Sequence, residues 1–273
     1  MIGVFDSGMG GLTVIKALIE NNPAYDLIYF GDTARTPYGS KGPETLTRYA
    51  IENIEFLIHQ GATIIVMACH TTSSVATKHV RDNFDVPVLE VITPAVERAL
   101  HISSQFKIGV MGTRATVQSG EYEKKILELN AAASVFSVAC PLLVPLVEEG
   151  WPKRPETASI VKKYLLALKV RQIDTLILGC SHYPVLKGLI QRKIGRRVRI
   201  VDPSICVAEA LKQYLQNQPR DESQLPQNGN LRVFVSDFTH QASRLAKVML
   251  KQNVTLEVIA NERGRKNIST ADR

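Results

Sequence analysis

Two short stretches concentrate the residues that could do chemistry. In Leu176–Pro184, LILGCSHYP, an apolar run ends in Cys180 and turns polar at once with Ser181, His182 and Tyr183. In Thr63–Ser74, TIIVMACHTTSS, an apolar run ends in Cys69, and His70, Thr71, Thr72 and Ser73 follow. A short apolar run bounded by turn formers reads as a buried strand. Residues just past the carboxyl end of such a strand are where open α/β sheets bind ligands. A thiol has a pKa of about 8.5 in water, so a poised cysteine can take or give a proton. One thiolate alone would serve as a nucleophile, as in acyl transfer. Two thiols on opposite faces of one carbon allow inversion: one removes the proton and the other returns a proton from the far side. Two matching strand–cysteine junctions are what a two-base racemase needs.

Such a site needs oriented donors to hold the carbanion charge. The hydroxyls of Ser7, Thr71 and Ser181 and the backbone N–H groups of the strand–helix turns are candidates. Asp6 from the first half, and Glu148 and His182 from the second, are candidate proton-shuttling partners of the thiols. Asp6 has two other readings: it caps the following helix, or it attracts a substrate ammonium. It opens the turn Asp6-Ser7-Gly8-Met9-Gly10-Gly11, which fails the dinucleotide fingerprint because Thr13 stands where G-x-G-x-x-G needs glycine. Glycines still let a backbone approach an anion closely, and a carboxylate ligand fits there as well as a phosphate. No motif for a Schiff-base lysine is present, and no cofactor is expected. Neighbouring Cys and His point to different faces of an extended chain, so no metal is expected. Cys140 and Cys206 lack a following polar cluster and read as core.

These junctions must be positioned by a framework, and the pattern supplies one. Strands are expected at Ile2–Phe5, Leu27–Phe30, Val88–Val91, Lys107–Met111, Val135–Val138, Arg199–Val201 and Leu231–Val235. Helices are expected over Leu12–Glu20, Pro43–Gln60, Ser74–Phe84, Thr93–Leu100, Ser119–Leu129, Thr157–Leu168, Leu186–Ile194, from Pro203, and over Thr239–Leu250. The segment Gly31–Gly42 is rich in turn formers and too long for a mere connector, so it reads as a binding loop. IGVFDSG near the start and IGVMGTR from Ile108 have the same layout. The expected fold is α/β, with two pseudo-symmetric domains, each a mostly parallel sheet flanked by helices, and the site in the cleft between them. The first domain is discontinuous, residues 1–93 with 207–262. The second is 94–206, and 263–273 is expected to be a disordered tail.

The bulk composition is ordinary for a soluble globular protein. The chain has 273 residues, 45% hydrophobic and 22% charged. That length buries a core without staples, and four scattered cysteines with no CxxC fit a reducing cytosol. The first residues, MIGVFDSG, have no basic or long apolar segment, and no run approaches the roughly 18 residues of a membrane span. A cytoplasmic location with no membrane partner is expected. The net charge of +7 raises nucleic acid as a partner. The densest basic run, Arg192–Arg199, lacks interleaved aromatics and any RNA-binding motif, and reads as a solvated turn; no nucleic acid is expected.

FDSGMGG, YFGDTARTPYGSK, ACHTTSS, ACPLLVPLVEEG and DTLILGCSHYPVL together resemble the glutamate racemases of the cofactor-independent aspartate/glutamate racemase superfamily. The resemblance runs from about Ile2 to Asp202. It implies interconversion of L- and D-glutamate, with D-glutamate going to peptidoglycan. It implies that Cys69 is the proton donor and acceptor for one enantiomer and Cys180 for the other. It makes Asp6, Glu148 and His182 auxiliary groups. It places the substrate against Asp6, Ser7, Tyr38, Gly39, His70, Thr71, Ser181 and His182. The chain departs from the family pattern at His70, where an asparagine is usual, at Ser181, where a threonine is usual, and at Thr72, where an alanine is usual. A racemase of aspartate or another amino acid, and a non-catalytic amino-acid-binding relative, remain the alternatives. A homodimer is the expected assembly if the chain is not a monomer.

Overall fold

The computed structural model describes residues 1–259 and 266–269, the latter as backbone. The first half runs β1 (Ile2–Asp6), α1 (Leu12–Asn21), β2 (Leu27–Gly31), α2 (Pro43–His59), β3 (Ile64–Met67), α3 (His70–Asn83) and β4 (Val88–Glu90). The second half runs α4 (Ile92–Ile102), β5 (Lys107–Gly112), α5 (Arg114–Gln118), α6 (Glu121–Leu129), β6 (Ser134–Ala139), α7 (Leu143–Glu148), α8 (Pro155–Val170), β7 (Thr175–Gly179), α9 (Lys187–Ile194) and β8 (Arg199–Val201). The chain then returns through α10 (Pro203–Asn217), α11 (Pro219–Ser223), β9 (Leu231–Val235), α12 (His240–Leu250), β10 (Thr255–Val258) and β11 (Lys266–Ser269).

β1, β3 and β7 are buried along their whole length, which explains their unbroken apolar sequences: each lies in a parallel sheet covered by helices on both faces. The first sheet has the order β11-β10-β9-β2-β1-β3-β4 and the second β6-β5-β7-β8. All pairings are parallel except β10 with β11. The core order 2-1-3-4 of the first sheet is repeated as 6-5-7-8 in the second, so the two halves share one topology. In each, the connections part to opposite sides between the first and third strands, the switch point where such sheets bind ligands. Cys69 follows β3 and Cys180 follows β7, the equivalent strands. β9 pairs with β2, and α12 packs on α1, while α10 packs on both α1 and α4 and so ties the halves together.

Beyond the added α7 and β10, the structure departs from the expected elements as follows. The helix after β3 begins at His70, four residues before the expected Ser74. Its opening run of Thr and Ser has weak helix propensity. The hydroxyls instead bond back within the turn: Thr72 Oγ1 donates to the Cys69 carbonyl at 3.0 Å and Ser74 Oγ to that of Thr71 at 2.9 Å. The helix expected over Ser119–Leu129 starts at Glu121 and is preceded by α5. Gly120, with φ 68°, makes the left-handed break between the two. The Gln-, Asn- and Pro-rich segment Gln216–Asn230, whose composition predicts a polar linker, contains α11 and is pinned by the Asp26 carboxylate, which accepts from the backbone N–H groups of Asn228 and Asn230, both at 3.0 Å. Within the tail expected to be disordered, Lys266–Ser269 pairs with β10 as a strand, its backbone groups satisfied by the exposed sheet edge. The remaining tail residues lie outside the described residues. Arg192–Arg199 forms the end of α9 and the turn into β8.

Candidate active site

Cys69 is the N-cap of α3, with φ −79° and ψ 112°, and is 3% exposed. An extended residue between a buried strand and a helix holds its side chain at the sheet end. Cys180 is the residue after β7, at the start of a turn, and is 5% exposed. Both thiols line one cavity of about 190 Å³ between the halves. Its walls include the buried Ser7, Tyr38, His70, Thr71, Thr113, Ser181 and His182, with Gly39, Pro141 and Val144 completing them.

The two sulfurs are served differently. Cys180 Sγ lies 3.9 Å from His182 Nδ1, and His182 Nε2 lies 3.1 Å from Glu148 Oε1. Burial disfavours a charged imidazole, but the contacts with Cys180 and Glu148 outweigh it and hold the His182 pKa well above its usual value. Cys180 therefore has an imidazolium beside it. Cys69 has no such partner. Burial pushes its pKa up to about 12, and the Asp6 charge adds to the rise, against smaller opposing contacts from Thr72 and Ser7.

Asp6 ends β1 and is fully buried. Its Oδ2 accepts from the backbone N–H groups of Gly11 at 3.0 Å and Gly8 at 3.3 Å. Its Oδ1 accepts from Ser181 Oγ at 3.0 Å, across the interface between the halves. The anion bound by the glycine-rich turn is thus the chain's own Asp6 carboxylate, which corrects the expectation of a ligand anion there. The donor of the Ser181 hydroxyl is likewise committed to Asp6 rather than free for a substrate. Burial raises the Asp6 pKa, opposed by the nearby His182 charge and the hydrogen bonds.

Gly10 explains the glycines of this turn. A Cβ at Gly10 would come within 2.3 Å of His182 Nδ1 and 2.6 Å of Ser181 Oγ. Thr13 Oγ1 locks the same approach by donating to the Ser181 carbonyl at 2.9 Å. The turn is the seat on which the Cys180 loop of the other half rests. Facing it, the loop after β2 presents Tyr38 and Gly39. The Tyr38 hydroxyl donates to the Asp32 carboxylate, which also accepts from Arg35 Nε at 2.5 Å and Ser236 Oγ at 2.8 Å. Gly39 packs against Thr113, which a Cβ would approach to 2.8 Å.

Of the residues expected from the sequence, Ser7, Tyr38, Gly39, Cys69, His70, Thr71, Cys180, Ser181 and His182 line the cavity together. Asp6 and Glu148 stand behind this lining, on Ser181 and His182. Thr113, Thr116 and Arg114 were not singled out. The hydroxyls of Thr71 and Thr113 lie 3.0 Å apart, and those of Thr113 and Thr116 lie 2.9 Å apart, joining the two halves. The signal was present in the sequence: the turn Gly112-Thr113-Arg114 occupies the place in β5–α5 that Asp6-Ser7 occupies after β1.

His70 is 3% exposed, and neither ring nitrogen has a hydrogen-bond partner. Burial lowers its pKa to about 3, so the ring is neutral and offers one donor and one acceptor. It stacks on Tyr122 with centroids 6.4 Å apart. Among the described residues, no group of three His, Cys, Asp or Glu side chains is arranged to hold a metal ion. The arrangement can hold a small polar molecule between two thiols, one beside a cation and one in an apolar, acid-flanked position.

Comparison with known proteins agrees with this geometry. Residues 2–211 match the family model described as Asp/Glu/hydantoin racemase. The chain is 42% identical over 240 residues to a glutamate racemase of Geobacter metallireducens, covering 86% of this chain and 87% of that one. Among solved structures, a glutamate racemase isoform from Bacillus anthracis superposes with a TM-score of 0.89 at 34% identity, covering 95% of this chain and 97% of that one. The glutamate racemase of Francisella tularensis in complex with D-glutamate gives a TM-score of 0.87 at 34% identity, with the same coverage of 95% and 97%.

Proposed function

The chain belongs to the Asp/Glu/hydantoin racemase family, and from that premise we propose that two thiols in its cleft invert the α-carbon of glutamate without a cofactor. That reaction is glutamate racemisation, the activity for which the chain's similar relatives are named, with D-glutamate going to peptidoglycan synthesis. The observation that carries the mechanism is the meeting of Cys69 and Cys180, from equivalent strand ends of two like halves, on a single cavity.

One cysteine, as thiolate, takes the Cα proton and becomes a thiol. The electron pair left on Cα is shared with the α-carboxylate. The other cysteine, as thiol, delivers its proton to the opposite face and becomes a thiolate. The enzyme is left with its proton on the other sulfur, ready for the reverse substrate. His182, held by Glu148, stabilises the thiolate form of Cys180. Asp6 flanks Cys69 and fixes Ser181. Ser7, Tyr38, Gly39, His70, Thr71, Ser181 and His182 form the substrate's surroundings, with the Ser7 and Thr71 hydroxyls and the neutral His70 imidazole as donors for the carboxylates.

Four free thiols are maintained in a reducing compartment, which supports a cytoplasmic location. No helix of the described residues is long and apolar enough to cross a membrane. Exposed Leu166 and Val170 on α8 offer apolar surface for a homodimer, which light scattering would measure.

The test is incubation with L-glutamate in deuterated water. Inversion with one solvent deuterium at Cα of the product is expected. Absence of both exchange and inversion would remove the proposal, and a panel including aspartate would expose a different substrate.

A further inference from the structure

Of the side chains lining the cavity, four are exposed and so form its rim: Pro37, Ser40, Arg114 and Pro145. Arg114 is the only charged one. Among the described residues it takes part in no ion pair. It is also the first residue of α5, where the helix dipole disfavours a cation. The local fold therefore gains nothing from its charge. Below it, the polar lining consists of thiols, hydroxyls and a neutral imidazole, with the one imidazolium, His182, facing Glu148.

Glutamate carries two carboxylates and one ammonium, a net negative charge. An unpaired guanidinium at the mouth of a narrow cleft attracts such a molecule and repels a cationic amino acid, because low-dielectric walls focus the field. We infer that Arg114 is a specificity-determining residue, a fixed positive charge at the rim that selects anionic amino acids as they enter. This inference rests on the proposed racemase reading. The guanidinium acts by charge rather than by a bidentate contact with the bound substrate, since it projects from the exposed rim rather than from the buried floor.

The experiment compares the wild-type chain with R114K, R114Q and R114E, measuring kcat/KM for glutamate at low and high salt. At low salt R114Q is expected to lose about fivefold and R114E about thirtyfold, with R114K within about twofold of wild type. These gaps should shrink toward unity near 0.5 M salt, about which the Debye length falls to roughly 4 Å. Equal loss in R114K and R114Q, a loss that ignores salt, or no loss in R114E would each overturn the inference. Thermal stabilisation by glutamate against glutamine, read in the same four proteins, tests the rim charge without turnover. If wild type binds glutamate selectively but does not racemise it, the catalytic reading fails while the rim charge stands. If it racemises glutamate and the variants match it, only the rim charge fails.

Discussion

Cys69 and Cys180 stand after the third strands of two halves with the same strand order, yet their surroundings differ in kind. Cys180 has an imidazolium 3.9 Å from its sulfur, and that imidazolium is backed by Glu148. Cys69 is desolvated, lies near the buried acid Asp6, and is followed by a histidine whose ring makes no hydrogen bond to it. Residue spacing separates the two cases. His182 is two residues past its cysteine and returns to it across the turn, whereas His70 is the immediate neighbour and the first residue of a helix. Repeated topology thus delivers two thiols to one place, while the loops set a histidine backed by Glu148 beside one of them and keep the other protonated by burial near an acid. An enzyme that must begin each turnover with one base and one acid is served by this difference.

The largest expected effect removes either member of the pair. Cys69→Ala and Cys180→Ala should each lower racemisation by at least about 10³-fold, the scale of general acid–base catalysis, as followed by circular dichroism. Full turnover by either variant would dissolve the comparison, since one thiol would then suffice.

His182→Asn sharpens it. Losing the cation should lower kcat about 10²-fold for the enantiomer that Cys180 deprotonates, and less for the other. The two enantiomers have equal free energy in water, so kcat/KM must stay equal in both directions. The asymmetry is therefore visible only in kcat and KM taken separately.

A pH series tests the Cys69 side of the comparison without mutation. With the Cys69 pKa pushed up to about 12, its thiol keeps its proton between pH 7 and 9. In the direction where Cys69 is the acid, kcat should therefore not fall over that range. A fall in that direction between pH 7 and 9 would show that Cys69 loses its proton there and that burial does not set it apart.

The smallest effect concerns Asp6. Its folded pKa is raised above the ordinary 3.8. It therefore favours folding below that value and costs stability as pH rises through the folded value. At pH 7, Asp6→Asn keeps an acceptor for Gly8 and Gly11 and relieves the buried charge. It should raise Tm by about 2 °C while lowering activity, a separation of stability from function. A lower Tm would mean that the carboxylate's hydrogen bonds outweigh its desolvation.

Much of the fold was legible because its signals are local. Parallel strands buried on both faces must be apolar throughout, and the thiols had to sit where those runs end. The repeat of IGVFDSG in IGVMGTR exposed the duplication. Less local features were hidden. The start of α3 at His70 depends on hydroxyls bonding back within a buried turn. The partner of the Gly8 and Gly11 N–H groups is Asp6 rather than a ligand. The commitment of Ser181 to Asp6 joins residues from opposite ends of the site.

Sequence by itself determined the two strand–cysteine junctions, the glycines and the α/β class, because each follows from residue order and hydrophobic period. Only the tertiary structure decided which turns face one another. It put Thr113 against Thr71 and Gly39, seated His182 on Gly10, and left Arg114 alone at the rim. Those choices depend on how two separately folded sheets dock, and docking is fixed by shape and charge across an interface that no single stretch of chain contains.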